Sequence, residues 1–132
     1  MTKLRNYLMV LGCLLSCSAL HAETIKMSQQ QLISILNAPA AADYVVLDVR
    51  TPEEFAQGHI EGAINLSHDL VADNLAQLMP YKDKTLIVHC RSGKRAALAE
   101  AILIENGFTK LKHLDGDMKA WQKAGLPLVS AH

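Results

Sequence analysis

The residue in this sequence best placed to do chemistry is Cys90, within the segment 86–95, which reads LIVHCRSGKR. Strand-forming residues precede the cysteine, and an alanine-rich stretch typical of a helix begins at Ala96. Cys90 is therefore predicted at the carboxyl end of a strand and the amino end of a helix. Unpaired backbone N–H groups and the helix dipole stabilise an anion there, which favours a reactive thiolate.

The residues after Cys90 strengthen this prediction. Arg91, Lys94 and Arg95 bring three cations within five residues, and Gly93 allows the backbone to curl tightly around the sulfur. The candidate site is thus a six-residue loop whose N–H groups hold a sulfur anion. It consists of Cys90, Arg91, Ser92, Gly93, Lys94 and Arg95. The alternative is a buried structural cysteine followed by a solvated basic turn.

Strands and helices alternate along the rest of the chain, which predicts an α/β domain with a mostly parallel sheet. The expected strands are 25–27, 44–49, 63–66, 85–89 and 110–114. The expected helices are 29–37, capped by Ser28 with Gln31; 52–57, capped by Thr51; 68–78, capped by Ser67; 95–106; and 117–123. Residues 37–43 are expected to be a linker.

Asp48 and Arg50 lie at the carboxyl end of the expected strand 44–49, Arg50 directly after it. Ligands of parallel α/β sheets bind beyond the carboxyl ends of the strands. Asp48 and Arg50 are therefore expected to share one face of the domain with Cys90, far away in sequence.

Length and composition point to one ordinary domain. The 132 residues are enough for one good core, half of them are hydrophobic, and the formal charges balance. These values argue against disorder and against nucleic-acid binding.

The amino terminus contains, in the expected order, the three regions of a secretory signal peptide. Lys3 and Arg5 precede an apolar run over residues 7–15, and small residues lead up to Ala22, after which cleavage is expected. The domains are thus predicted as a signal peptide, 1–22, and a mature domain, 23–132, in the periplasm or otherwise exported. Lipid attachment at Cys17 and an uncleaved anchor are alternatives, although the apolar run is short for a membrane span.

Cleavage leaves Cys90 as the only thiol of the mature chain, because Cys13 and Cys17 are removed. The mature chain then has 11 basic and 13 acidic residues, a net charge of −2, and no membrane span. A lone cysteine in an oxidising compartment is a poor choice for packing alone. Any adduct on its sulfur has to be resolved by another molecule.

Three stretches of the sequence together resemble the rhodanese homology domain. LDVRTPEEFAQGHIEGAINL, at 47–66, resembles the first signature of that family, IVHCRSGKRA, at 87–96, its active-site loop, and LDGDMKAW, at 114–121, its closing signature. The resemblance implies a three-layer α/β/α fold around a five-stranded sheet. It also implies sulfurtransferase activity through a persulfide on Cys90.

The resemblance implies a small sulfur donor such as thiosulfate and a thiol or cyanide acceptor, with a sulfur-relay protein as a possible partner. No metal or organic cofactor is expected. His59, His89 and His113 fall on separate elements, and we interpret them as structural residues rather than metal ligands.

Within the loop, Arg91 is expected to bind the anionic donor and Arg95 to combine structural and electrostatic roles. Lys94 either raises the local potential or is simply solvated. Ser92 stands where thiosulfate-specific members of the family often carry a second cation, which puts thiosulfate as the physiological donor in question.

Three further residues have supporting or uncertain roles. Asp48 and Arg50 are expected to brace the loop and the following turn through a buried ion pair or hydrogen bonds. Asp117 replaces the usual glycine of the closing signature. It is expected either to cap the last helix or to bring negative charge to the rim of the pocket.

Two other functions fit parts of the same loop. Protein tyrosine phosphatases also use a His-Cys pair and an arginine, but they place one residue more between cysteine and arginine than the four found here. This count argues against a phosphatase or an arsenate reductase. A rhodanese module without catalysis, which binds a partner or senses oxidants through Cys90, is the other alternative.

Overall fold

The structure, a computed structural model, describes residues 24–131 apart from the side chain of Ala40; the predicted signal peptide lies outside these residues. Its five strands are β1 (Ile25–Met27), β2 (Tyr44–Asp48), β3 (Ile64–Asn65), β4 (Thr85–His89) and β5 (Leu111–Leu114). They form one sheet in the order β1, β5, β4, β2, β3, and all neighbouring pairs are parallel. The predicted α/β fold with a parallel sheet is confirmed.

Four α-helices connect or follow the strands. They are α1 (Gln29–Leu36), α2 (Pro52–Gln57), α3 (Lys94–Glu105) and α4 (Asp117–Lys123). Two of the predicted caps are present, because the hydroxyls of Ser28 and Thr51 accept hydrogen bonds from the third N–H of α1 and α2. Gly58 ends α2 as expected.

The sheet separates two hydrophobic cores because successive strand residues point to opposite faces. Val46 and Ile87 pack on one face with residues of α1 and α4. Leu47 and Val88 pack on the other face with the buried side of α3. The result is the three-layer α/β/α arrangement implied by the family resemblance. Within the described residues, none of the helices combines the length and the apolar character that crossing a bilayer requires.

The segment 68–78 is not the α-helix that we expected. It consists of short 3-10 turns, and Asn74 interrupts them with non-helical backbone angles. The Asn74 side chain donates to the carbonyl of Leu70, a local bond of the kind by which asparagine competes with helix formation. A shorter 3-10 helix, Pro39–Asp43, also lies within the expected linker.

Ser67, the expected cap of that helix, has another partner. Its side chain makes no capping hydrogen bond, and its hydroxyl instead donates to the carbonyl of Arg50 at 3.1 Å. Ser67 therefore fixes the backbone just after β2 rather than starting a helix.

We predict that the buried face of α3 carries stability and the outer face does not. Leu103 is fully buried, whereas Leu98 is 55% exposed on the same helix. Leu103→Ala should lower the free energy of unfolding by about 2–5 kcal/mol, because it leaves a cavity. The matched control Leu98→Ala should change it by less than about 0.5 kcal/mol in urea denaturation. Equal losses in the two variants would contradict this packing.

Candidate active site

The ends of β2 and β4 meet at the same edge of the sheet. The two strands pair in parallel with Asp48 opposite His89, and the N–H of Val49 donates to the His89 carbonyl at 3.0 Å. This register brings residues 48–50 beside the loop of residues 90–95, hereafter the Cys90 loop. The expected shared face of Asp48, Arg50 and Cys90 is therefore present.

The sulfur of Cys90 is buried at the start of the loop. The side chain is 1% exposed, and its Sγ accepts a hydrogen bond from the N–H of Gly93 at 3.0 Å. Gly93 has a φ of 109°, a left-handed conformation suited to glycine, and α3 begins at the next residue. The first N–H groups of α3 lack partners inside the helix, so this end of the loop favours an anion.

The opposite side of the loop is fastened to the start of α4. The N–H of Cys90 donates to Asp117 Oδ1 at 3.0 Å. In return, the N–H groups of Met118 and Lys119 donate to the carbonyls of Cys90 and Arg91 at 3.0 and 2.9 Å. Three hydrogen bonds thus join the loop to the start of α4, one donated by the loop and two donated by the helix.

Asp117 performs neither of the roles expected from the sequence. Gly116 occupies the cap position of α4, so Asp117 does not cap the helix. Asp117 is also only 2% exposed, so it does not lie at a pocket rim. Both expectations were wrong, because the carboxylate turns inward and accepts from the Cys90 amide.

Asp117 belongs to a charged cluster that we define as Glu100, His113 and Asp117. His113 Nε2 lies 2.9 Å from Asp117 Oδ2, and its Nδ1 lies 2.8 Å from Glu100 Oε1. Hydrogen bonds that His113 donates, to Asp117 first and to Glu100 second, raise its pKa to about 10. His113 is therefore an imidazolium at neutral pH, held between two carboxylates beneath the Cys90 loop.

Asp48 and Arg50 form the buried ion pair that was expected. The guanidinium Nη2 donates to Asp48 Oδ2 at 2.7 Å, and both residues are almost fully buried. The same nitrogen donates to the carbonyl of Gly58 at 2.8 Å. The pair thus joins the end of β2 to the end of α2. The negative charge of Asp48 compensates the positive charge of Arg50.

Arg95 is engaged by a partner that the sequence did not reveal. Its Nη1 and Nη2 donate to the two carboxylate oxygens of Glu54 on α2, at 2.7 and 3.0 Å. The hydrogen bond from Arg95 is the main cause that lowers the pKa of Glu54 to about 2. Glu54 in turn raises the pKa of Arg95, and Cys90 adds a smaller effect in the same direction. The structural part of the expected role of Arg95 is therefore present.

His89 lies behind the loop as a buried ring. Burial is the largest influence on its pKa and lowers it, which favours the neutral ring. Nδ1 lies 3.0 Å from the Cys90 carbonyl, so this nitrogen carries the hydrogen. Nε2 lies 3.6 Å from Asp48 Oδ2 and has no hydrogen-bond partner in the described part of the chain.

A cleft of about 270 Å³ opens beside the Cys90 loop. It is lined by Arg50, Glu54, Gln57, Gly58, Arg91, Met118 and Gln122. Arg91 is exposed, as are Ser92 and Lys94 on the outer side of the loop. Among the described residues that line this cleft, Arg91 is the cation without an ion-pair partner, because Arg50 is bound to Asp48.

Sequence reasoning missed Glu54, Glu100 and His113 as neighbours of the loop. The capping pattern explained Glu54 as a helix-start residue, and it left no sign of the second contact with Arg95. His113 and Glu100 lie on β5 and α3, and no spacing rule joins them to Asp117 on α4. The one signal in the sequence was Glu100, a charged residue in a predicted helix that is otherwise mostly apolar.

We predict that the charged cluster makes the protein lose stability at alkaline pH. The raised pKa of His113 means that its contribution to folding is complete below about pH 6.5 and is lost as pH rises toward 10. The free energy of unfolding of the wild type should therefore fall relative to that of His113→Gln over this range. Urea denaturation at several pH values measures the difference, in which other titrating groups cancel. A constant difference from pH 6 to pH 10 would contradict the prediction.

Comparison with known proteins places the chain among relatives of the same kind. A "Sulfurtransferase" of Allochromatium vinosum is 36% identical over 88 residues, which cover 67% of this chain and 80% of the relative. "Thiosulfate sulfurtransferase 16, chloroplastic" of Arabidopsis thaliana is 35% identical over 116 residues, which cover 80% of this chain and 97% of the relative.

The fold has close structural relatives as well. A rhodanese-related protein from Thermoplasma volcanium superposes with a TM-score of 0.68 at 28% identity, over 80% of this chain and 97% of that chain. The sequence model of the family described as "Rhodanese-like domain" matches residues 28–124 of this chain. Because this match spans β2 to β5, the Cys90 loop and α4, the chain belongs to the rhodanese-like domain family.

Proposed function

We propose that this protein is a rhodanese-type sulfurtransferase that carries a sulfane sulfur as a persulfide on Cys90. The observation that carries the proposal is the position of Cys90 Sγ, which accepts the Gly93 N–H at the start of α3. A terminal persulfide sulfur is an anion, and the amino end of a helix stabilises an anion. The similarity to sulfurtransferases supports the same chemistry.

The first half-reaction loads the cysteine. The Cys90 thiolate attacks the outer sulfur of a donor such as thiosulfate, the new S–S bond forms, and the old sulfur–sulfur bond breaks. Sulfite leaves with the electron pair of that bond. Cys90 then carries a persulfide with one negative charge, so charge and atoms balance without a redox partner.

The second half-reaction unloads the cysteine. A thiolate or cyanide attacks the terminal sulfur of the persulfide, and the electron pair of the S–S bond returns to Cys90. The product is a new persulfide or thiocyanate, and the Cys90 thiolate is regenerated. In the described residues Cys90 is the one free cysteine, so the acceptor comes from another molecule, either a small thiol or a sulfur-relay protein.

The charges around the cleft support a specific role for Arg91. Arg50 and Arg95 are already bound by Asp48 and Glu54, whereas Arg91 is exposed in the cleft wall. Arg91 therefore holds the sulfonate end of an anionic donor, and exposed Lys94 adds long-range attraction. Ser92 supplies no charge, so the binding of small dianions relies mainly on Arg91.

The same contacts argue against phosphatase chemistry. Phosphoryl transfer needs donors around all the equatorial oxygens of the phosphate. The guanidinium of Arg95 is occupied by both oxygens of Glu54, and the loop has one residue fewer than a phosphatase loop.

We also propose that the sulfur transfer takes place outside the cytoplasm, as the predicted signal peptide indicates.

We predict a sulfur adduct on Cys90 after treatment with thiosulfate. Mass spectrometry of the protein, trapped by alkylation and digested, should show one additional sulfur atom on the peptide that contains Cys90. Cyanide should remove this sulfur and release thiocyanate. Peptide mapping is needed because the full chain contains three cysteines.

The control for this experiment is Cys90→Ser, which preserves size and should take up no sulfur on the same peptide. An oxidant sensor would form sulfenic acid or a mixed disulfide with peroxide, yet gain no sulfur from any sulfane donor. That result, or turnover of an aryl phosphate, would refute the proposed transfer.

We predict that Arg91→Ala weakens donor binding more than it slows the reaction of bound donor. Loss of a charge-assisted contact to an exposed anion should raise KM for thiosulfate by roughly tenfold. Lys94→Ala serves as the matched control and should raise KM by less than about threefold, because its contribution is long-range. Steady-state assays of thiocyanate formation distinguish the two, and equal effects would contradict a direct role for Arg91.

A further inference from the structure

The start of α4 has an unusual backbone. Asp117 has a φ of 55°, and among the described residues it is the one residue other than glycine with a positive φ. An L-residue in this left-handed region costs conformational energy, which aspartate tolerates better than most residues. Such a residue persists where the surrounding structure holds it in place.

The contacts of the Asp117 carboxylate explain what holds it. Oδ1 accepts from the buried N–H of Cys90, and Oδ2 lies 2.9 Å from His113 Nε2. His113 is fixed in turn by Glu100 on α3. The carboxylate is therefore clamped from the side opposite the loop and has little freedom to rotate.

The same carboxylate also lies under the turn of the loop. A Cβ atom placed on Gly93 would come within 3.0 Å of Asp117 Oδ2 and 3.6 Å of His113 Nε2. The backbone of Gly93 thus rests directly on the Asp117–His113 pair. Gly93 is the residue whose N–H donates to Cys90 Sγ. Asp117 therefore bonds one end of the hydrogen-bonded turn that surrounds the sulfur, at the Cys90 N–H, and lies close beneath the other end, at Gly93.

We propose that Asp117 is a positioning residue for the Cys90 loop. Clamped by His113 and Glu100, its carboxylate fixes the Cys90 amide and supports Gly93, which keeps the Gly93 N–H directed at Sγ. It touches neither donor nor acceptor, and it acts through the loop. As a role in sulfur transfer, this inference depends on the proposed function.

Two variants separate positioning from charge. Asp117→Gly removes the acceptor and relieves the strained φ, so it should fold. Asp117→Asn also removes the charge, but it keeps a side-chain oxygen that can accept from the Cys90 N–H. The rate constant for sulfur loading should fall at least tenfold in Asp117→Gly with KM changed less than threefold. Asp117→Asn should restore the rate to within about threefold of the wild type.

The control is Asp115→Asn. Asp115 also precedes the body of α4, but it is exposed and faces Lys26 at 3.9 Å. Its loss should leave the loading rate unchanged. Equal loading rates in Asp117→Gly and the wild type, with thermal unfolding confirming that both are folded, would overturn the positioning role.

A second measurement does not depend on sulfur transfer. The rate at which iodoacetamide alkylates Cys90 rises with pH as the thiolate forms. Asp117→Gly and Asp117→Asn both lack the carboxylate charge, so a difference between their midpoints reports the loop geometry alone. We expect the glycine variant to have the higher midpoint, by at least about 0.5 pH unit, because its thiolate loses an aligned N–H donor.

This measurement also distinguishes two failures. If the wild type takes up no sulfur but the midpoints differ as expected, the proposed function fails and the positioning of Cys90 stands. Identical midpoints in the two variants would overturn the positioning role, whatever the outcome of the sulfur assay.

Discussion

The parallel register of β2 and β4 is the constraint on which the site depends. Asp48 lies opposite His89, so both strands end at the same level and release their next residues at one edge of the sheet. A shift by one residue would turn every side chain of a strand to the other face and move Cys90 out of its core. Val46 packs into one core and Leu47 into the other, so the register that builds these two cores also places the site.

The edge of the sheet determines where the Cys90 loop lies, and contacts with α4 determine the conformation of the loop. Three hydrogen bonds join the first two loop residues to the start of α4, and two of them run between backbone groups only. Backbone groups depend little on side-chain identity, so Arg91 is free to point into the cleft. In the third bond the Asp117 carboxylate accepts from the Cys90 N–H, and the strength of this bond depends on how firmly His113 holds the carboxylate. The loop is thus preorganised by backbone groups of α4 and by the buried Asp117–His113 pair.

Local rules predicted the elements of this protein, and they failed where distant groups meet. The caps at Ser28 and Thr51, the strand before Cys90 and the burial of the Asp48–Arg50 pair all follow from short patterns. The inward turn of Asp117 does not, because one partner, the Cys90 N–H, lies 27 residues before it, and the other, His113 on β5, is held in turn by Glu100 on α3. The 3-10 turns at 68–78 show the opposite failure, since the helix expected after Ser67 is interrupted at Asn74, whose side chain makes a local bond.

The paired charges around the loop have a common physical consequence. Desolvation makes an unpaired buried charge very costly, and Asp48, Arg50 and Asp117 each have a partner of opposite sign or a hydrogen bond that offsets this cost. Glu54 does the same for half-buried Arg95. The interior near Cys90 is therefore electrically almost neutral or slightly negative, which does not attract a dianion by itself. Attraction has to come from exposed Arg91 and Lys94 and from the N–H groups at the start of α3. Because solvent and salt screen the exposed cations, the capture of an anionic donor should be sensitive to ionic strength, whereas the stabilisation of the sulfur once bound should not.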